Sequence, residues 1–249
     1  MTQVFKDHFS QVAAAYRSYR PEYPEELFGW LAQVAPQRGA ALDAGCGTGQ
    51  AAVALARHFA RVYAVDPSAE QIANAVAADN VSYLVAPAEA TGLPPESQDL
   101  IIAAQALHWF DFDRFYPELR RLARPDAVFA AFTYGLLTVT PQLDAVIGRF
   151  YREIVGAYWP PERRHVDAGY RSLPFPFEEI AAPAFVMTAS WPLEHLVGYF
   201  ATWSAVKEYK KQKGSDPVAL IRGELAAAWG DAEVREVTWP LVIRAGRIG

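Results

Sequence analysis

The chain has 249 residues, 52% of them hydrophobic, enough for one α/β core or for a core that carries a smaller cap. Its 23 Lys and Arg against 28 Asp and Glu leave a net charge of −5, so no global positive field draws a phosphate backbone and nucleic acid is not an expected partner. The single cysteine, Cys46, excludes an intramolecular disulfide and a multi-thiolate metal site, and no apolar run reaches the roughly 20 residues of a membrane span.

In chain order, Val4, Phe5, Phe9, Val12, Ala13, Tyr16 and Tyr19 recur at helical spacing and predict a first helix, ended by Pro21 and Pro24. A second helix is predicted over 25–34. Together they form an N-terminal helical cap, residues 1–36. The opening segment, with Lys6, Asp7 and His8, has no apolar heart and does not read as a secretory signal, so a soluble cytoplasmic protein is expected.

Between 37 and 134 the texture changes. Short apolar runs at 40–44, 62–65, 81–85, 100–104 and 128–132 alternate with helix-length segments at 50–59, 68–77 and 113–122, with Ser68 a natural N-cap. Strands buried on both faces read as such continuous runs, so βαβ units around a parallel sheet are predicted. From 135 to 249 the alternation loosens, and five of the seven tryptophans fall there: Trp159, Trp191, Trp203, Trp229 and Trp239. Helices are expected over 141–158, 193–211 and 217–229, the last capped by Asp216, and a strand over 184–190. The run 234–242 reads as an edge strand, because Pro240 cannot donate to a ladder on both sides. The lysines at 207, 210, 211 and 213 are read as a solvated helix face.

The stretch ALDAGCGTGQ, straight after the first strand, carries the chemistry. Gly45, Gly47 and Gly49 allow a tight turn and a close approach to a ligand at the carboxyl end of a parallel strand. A dinucleotide fingerprint needs glycine at the sixth position, and here that position is Gln50. The pattern favours a compact ligand with no pyrophosphate. Asp66, at the end of the second strand, is placed to accept ribose hydroxyls, as for NAD or another nucleoside. Asp43 puts a carboxylate two residues before the first glycine, where an α-amino group or bound water would offset its burial. At the end of the third strand, Glu89 and the backbone of Ala88 can reach an adenine edge.

These pieces in order, together with ESQDLIIAAQALHWFD at the fourth strand, resemble the class I S-adenosylmethionine-dependent methyltransferases over residues 38–134. The segments YRSYRPEYP, QALHWFD and WPLVIRAGR are similar to the type 11 small-molecule branch that includes trans-aconitate methyltransferase-like proteins. The resemblance implies a doubly wound, mostly parallel seven-stranded sheet with its last strand antiparallel, N-terminal helices and an inserted helical cap. It implies S-adenosylmethionine as donor, leaving as S-adenosylhomocysteine, with Cys46, Pro67 and Gln105 added to the donor contacts, and a small-molecule acceptor for a monomer or homodimer.

Tyr16 and Arg20, one helical turn apart, could lie over that donor, with Arg20 pairing its carboxylate. His108 is the candidate catalytic residue, as a base for a hydroxyl or amine or as an orienting group for a carboxylate; a hydrogen-bonded loop histidine is the competing reading. Arg163, Arg164 and His165 make a cationic cluster suited to an anionic acceptor. The five histidines show no metal-ligand spacing, and no Asn/Asp-Pro-Pro-aromatic stretch follows the fourth strand. A nicotinamide-dependent oxidoreductase and a non-catalytic nucleoside-binding protein remain as alternatives.

Overall fold

The computed structural model describes residues 19–249; most of the first predicted helix, including Tyr16, lies outside them. Helix α1 (Glu25–Val34) precedes β1 (Ala40–Ala44), α2 (Gln50–Leu55), β2 (Arg61–Asp66), α3 (Ala69–Ala73), β3 (Val81–Val85), β4 (Gln98–Ala104), α4 (Phe112–Leu122) and β5 (Ala123–Tyr134). The five strands are parallel in the order 3-2-1-4-5, so the strand order reverses between β1 and β4. Ligands bind at such a switch point, outside the carboxyl ends of the strands.

The apolar runs are continuous because alternate residues serve opposite faces of the sheet. Leu42, Ile101 and Phe129 pack with Phe115, Leu119 and Leu122 of α4. Their neighbours Ala41, Ile102 and Val128 pack with Leu27, Phe28 and Leu31 of α1 and Leu55 of α2. Each large side chain buried this way contributes about 1.5–3 kcal/mol. Ser68 caps α3 as expected, its Oγ accepting the Gln71 amide at 3.2 Å.

After β5 the chain builds a second core. It comprises α5 (Pro141–Arg149), which runs into a π turn at Phe150–Ile154 and a 3-10 turn at Gly156–Tyr158, then α6 (Arg163–Asp167), β6 (Glu178–Ile180), β7 (Val186–Trp191), α7 (Leu193–Ala201), α8 (Ser204–Lys213), α9 (Arg222–Trp229) and β8 (Arg235–Arg247). Trp191, Trp203, Trp229 and Trp239 are buried together with Ile147, Phe150 and Phe200, and Trp159 packs at the margin. The tryptophan-rich texture is therefore the interior of the cap. The single helix expected over 193–211 is two helices, broken where the Thr202 hydroxyl donates to Tyr199 O and Trp203 turns inward.

The expected edge strand is an interior one. β8 runs antiparallel to β5 from Leu241 to Arg247, and on its other side pairs β7 and then β6, which brings the sheet to eight strands. Pro240 ends the ladder with β7 opposite Val186, while the ladder with β5 begins one residue later at Leu241. A proline is tolerated there because the strand changes neighbours at that residue. No helix among the described residues is long and apolar enough to cross a membrane.

Candidate active site

The glycine loop turns back over β2, with the Gly45 and Cys46 amides both donating to Val65 O, at 2.8 and 3.0 Å. Its three glycines do different work. A Cβ on Gly45 would stand 2.6 Å from the Ala106 Cβ, and one on Gly49 only 2.1 Å from the Tyr83 hydroxyl. Those two positions are glycine because the loop after β4 and the ring of Tyr83 press against them. Gly47, at φ +54°, meets nothing nearer than Gln71 Oε1 at 4.0 Å, so its space is open.

Asp66 accepts the Gly47 amide on Oδ2 and the Ser68 amide on Oδ1, each at 2.9 Å. Pro67 between them is half-buried. Asp43 is fully buried, and neither of its oxygens has a hydrogen-bond partner among the described residues. Burial, reinforced by the nearby Asp66 charge, pushes its carboxyl up to about 7, with the Ala52 amide pulling the other way. Burial, with both carboxylates, also raises the Cys46 thiol. Ala88 is buried, and Glu89 Oε1 accepts the Asp111 amide at 2.9 Å, tying the loop after β3 to the N-cap of α4.

Gln105, just past β4, has φ +54°, a conformation uncommon for a side-chain-bearing residue. Its Nε2 donates to Tyr134 O at 3.0 Å and its Oε1 accepts the Thr133 hydroxyl. The amide is held by β5, and Gln105 lines a cavity of about 80 Å³ between the sheet and the cap. His108, Trp109 and Tyr134 share that wall, with Trp159, Arg163, Tyr199 and Trp203 supplied by the cap. Among the described residues no carboxylate lines it.

His108 Nδ1 stands 2.9 Å from the Tyr170 hydroxyl. Burial, then the positive charges of Arg163 and His165, lower its pKa to about 3, so the ring is neutral. Arg163 Nε donates to Tyr151 Oη at 2.7 Å and to Asp167 Oδ1 at 3.3 Å, and its guanidinium lies 4.8 Å from the Trp159 ring centre. Of the predicted cationic cluster only Arg163 lines the cavity: His165 turns to Ser172 and Arg164 to His165. Arg20 also lines it, donating to Tyr134 Oη at 3.2 Å and lying over the Tyr199 ring. Tyr16 lies outside the described residues.

Sequence reasoning missed Tyr151, Tyr170 and Thr133. Tyr151 is presented by the π turn, a feature frequent at functional sites, and Tyr170 sits at φ +59°. Neither has a local sequence signal. Among the described residues no cluster of three or more His, Cys, Asp or Glu could hold a metal.

Residues 42–131 match the family model for a methyltransferase domain. A protein described as a methyltransferase in Dictyostelium discoideum is 34% identical over 245 residues, spanning 95% of this chain and 93% of that one. A methyltransferase of Mycobacterium bovis is 34% identical over 174 residues, 69% of this chain and 66% of its own. Among solved structures, a protein described as a type II methyltransferase from Anaeromyxobacter dehalogenans is 57% identical. It superposes with a TM-score of 0.87 over 92% of this chain and 98% of that one.

Proposed function

Because the chain belongs to the class I S-adenosylmethionine-dependent methyltransferases, we propose that it methylates a small acceptor carrying a carboxylate, held by Arg163 in the cavity between sheet and cap. Family membership removes the nicotinamide reading. The residues present fit the methyl donor: the buried, unbonded Asp43 oxygens call for a cationic amine or a water bonded to one, Asp66 offers acceptors for ribose hydroxyls, and Gly47 leaves its side open. The donor supplies a methyl carbon already activated by a positive sulfonium. What the protein adds is alignment of the acceptor and exclusion of water.

The observation that carries the acceptor class is the setting of Arg163. Tyr151 and Asp167 take its Nε and Trp159 supports its plane, while its terminal nitrogens have no hydrogen bond among the described residues. A guanidinium fixed in that way matches a carboxylate with two parallel bonds. No acid among the described residues lines the cavity, so apart from Asp167 at its Nε the guanidinium meets no carboxylate there.

The test is titration of the protein saturated with S-adenosylhomocysteine, using benzoate and benzamide as probes. Benzoate is expected to bind and benzamide to bind poorly. Arg163→Met should weaken benzoate about 10- to 100-fold, the range of a hydrogen-bonded charge, with S-adenosylhomocysteine affinity unchanged. Equal binding of the two probes, or of benzoate to both proteins, would end this reading.

A further inference from the structure

The open side of Gly47 faces one side chain. A Cβ built there meets Gln71 Oε1 at 4.0 Å and nothing else within that distance. Gln71 lies in α3, where its backbone amide donates to the Ser68 cap at 3.2 Å. The segment after α3 is tied to the same loop, since the Val76 amide donates to Thr48 O at 3.1 Å. Gly47 therefore stands between two polar groups: its amide donates to Asp66 Oδ2 at 2.9 Å, and its open side meets the amide of Gln71.

Gln71 is only 6% exposed, yet its terminal amide makes no hydrogen bond among the described residues. A buried amide with its donors and acceptor unmet is unfavourable, and such groups in native proteins have a partner. Packing does not account for it, because an apolar side chain of the same length would fill the space without stranding a polar group. No hydrogen bond fixes which end of the amide faces the loop, so a half-turn about its last torsion presents nitrogen in place of oxygen.

Asp66 lacks the complementary chemistry. A carboxylate only accepts, and each Asp66 oxygen already takes one backbone amide, from Gly47 and from Ser68. Its remaining lone pairs suit the two hydroxyl protons of a ribose. Each hydroxyl oxygen then keeps lone pairs that call for a donor, and the Gly47 and Ser68 amides are spent on Asp66. We propose that Gln71 binds the nucleoside of S-adenosylmethionine, its amide nitrogen donating to one ribose hydroxyl oxygen whose proton goes to Asp66. The proposal rests on the ribose reading of Asp66 given above and adds a second residue that reads the sugar. Carboxylate and amide together match a hydroxyl as donor and as acceptor, so the pair distinguishes ribose from deoxyribose.

The test is calorimetric titration of wild type and Gln71→Met with S-adenosylhomocysteine and with its 2′-deoxy and 3′-deoxy analogues. Methionine keeps the length and the helix propensity of the side chain and leaves the backbone bond to Ser68 in place. Gln71→Met should weaken S-adenosylhomocysteine about 3- to 12-fold, the range of one neutral hydrogen bond. The analogue lacking the hydroxyl that Gln71 serves should bind both proteins alike, while the other analogue keeps the loss. Ligand-free Gln71→Met should unfold at the same temperature as wild type or higher, because an unpaired buried amide is gone. Gln71→Leu should give the same pattern, which keeps the idea testable if the methionine variant does not fold. Unchanged S-adenosylhomocysteine affinity, or an equal loss for all three ligands, overturns the proposal; a lowered unfolding temperature without a hydroxyl-dependent loss does the same and assigns the side chain to packing. A loss in Asp66→Ala with none in Gln71→Met keeps the ribose at Asp66 and ends this inference alone, so the two readings fail separately.

Discussion

Asp66 Oδ2 accepts the Gly47 amide at 2.9 Å, a bond that ties the middle of the glycine loop to the end of the neighbouring strand. The other oxygen holds the Ser68 amide, so the loop is braced by the residue proposed to read the ribose. Asp66→Ala should therefore act twice. Calorimetric titration with S-adenosylhomocysteine should show binding weaker by about 1–3 kcal/mol, and ligand-free protein should unfold at lower temperature. An unaltered affinity would remove the ribose assignment.

Gly49 and Tyr83 form a second such pair, because an alanine Cβ at 49 would overlap the phenol at 2.1 Å while also sitting at φ +85°. The conformation alone costs an L-residue about 1–2 kcal/mol. Gly49→Ala should lower the urea midpoint by more than that amount implies. Combining it with Tyr83→Ala should relieve the overlap and leave the backbone cost, giving a coupling of the same order. Strict additivity of the two changes would show that Tyr83 does not seat on the glycine.

The contrast between these glycines explains what could be read from the chain. The loop, Asp66 and the five parallel strands are local patterns: a period of two, a turn residue, a carboxylate at a strand end. Gly49 was legible as a turn residue, but its tyrosine neighbour comes from a strand further along the chain. The cap is less legible still. Arg163 reaches the cavity, where Tyr151 of the π turn accepts from its Nε, while its neighbour Arg164 does not. Pro240 was read by a sound rule for strands with fixed neighbours, and β8 escapes it by changing neighbours at that residue.

Tyr151 gives a third expectation. Its hydroxyl meets both Arg163 Nε and Asp167 Oδ1, so Tyr151→Phe removes one of the two bonds that orient the guanidinium and keeps the ring beneath it. Benzoate affinity should fall by about 3- to 15-fold, the effect of loosening the guanidinium at one of its two anchoring hydrogen bonds, and S-adenosylhomocysteine affinity should not change. A change in donor affinity instead would place Tyr151 in the general stability of the cap.

Asp43 sets two expectations of opposite sign. Burial raises its carboxyl from 3.8 to about 7, so between those pH values the folded protein keeps a proton that the unfolded chain has released. The stability contributed by this group is therefore present at low pH and lost as pH rises through about 7. Asp43→Asn removes the buried charge, and ligand-free variant should be more stable than wild type at pH 8 by about 1–3 kcal/mol. That corresponds to a rise in Tm of about 2–4 °C per kcal/mol, shrinking toward nothing near pH 4. With S-adenosylhomocysteine the order should reverse, because a cationic amine near Asp43 gains from the charge that the empty site pays for. A variant that is stabilised when empty and gains less from ligand identifies Asp43 as a donor-binding carboxylate; one that gains as much as wild type assigns the charge no part in binding.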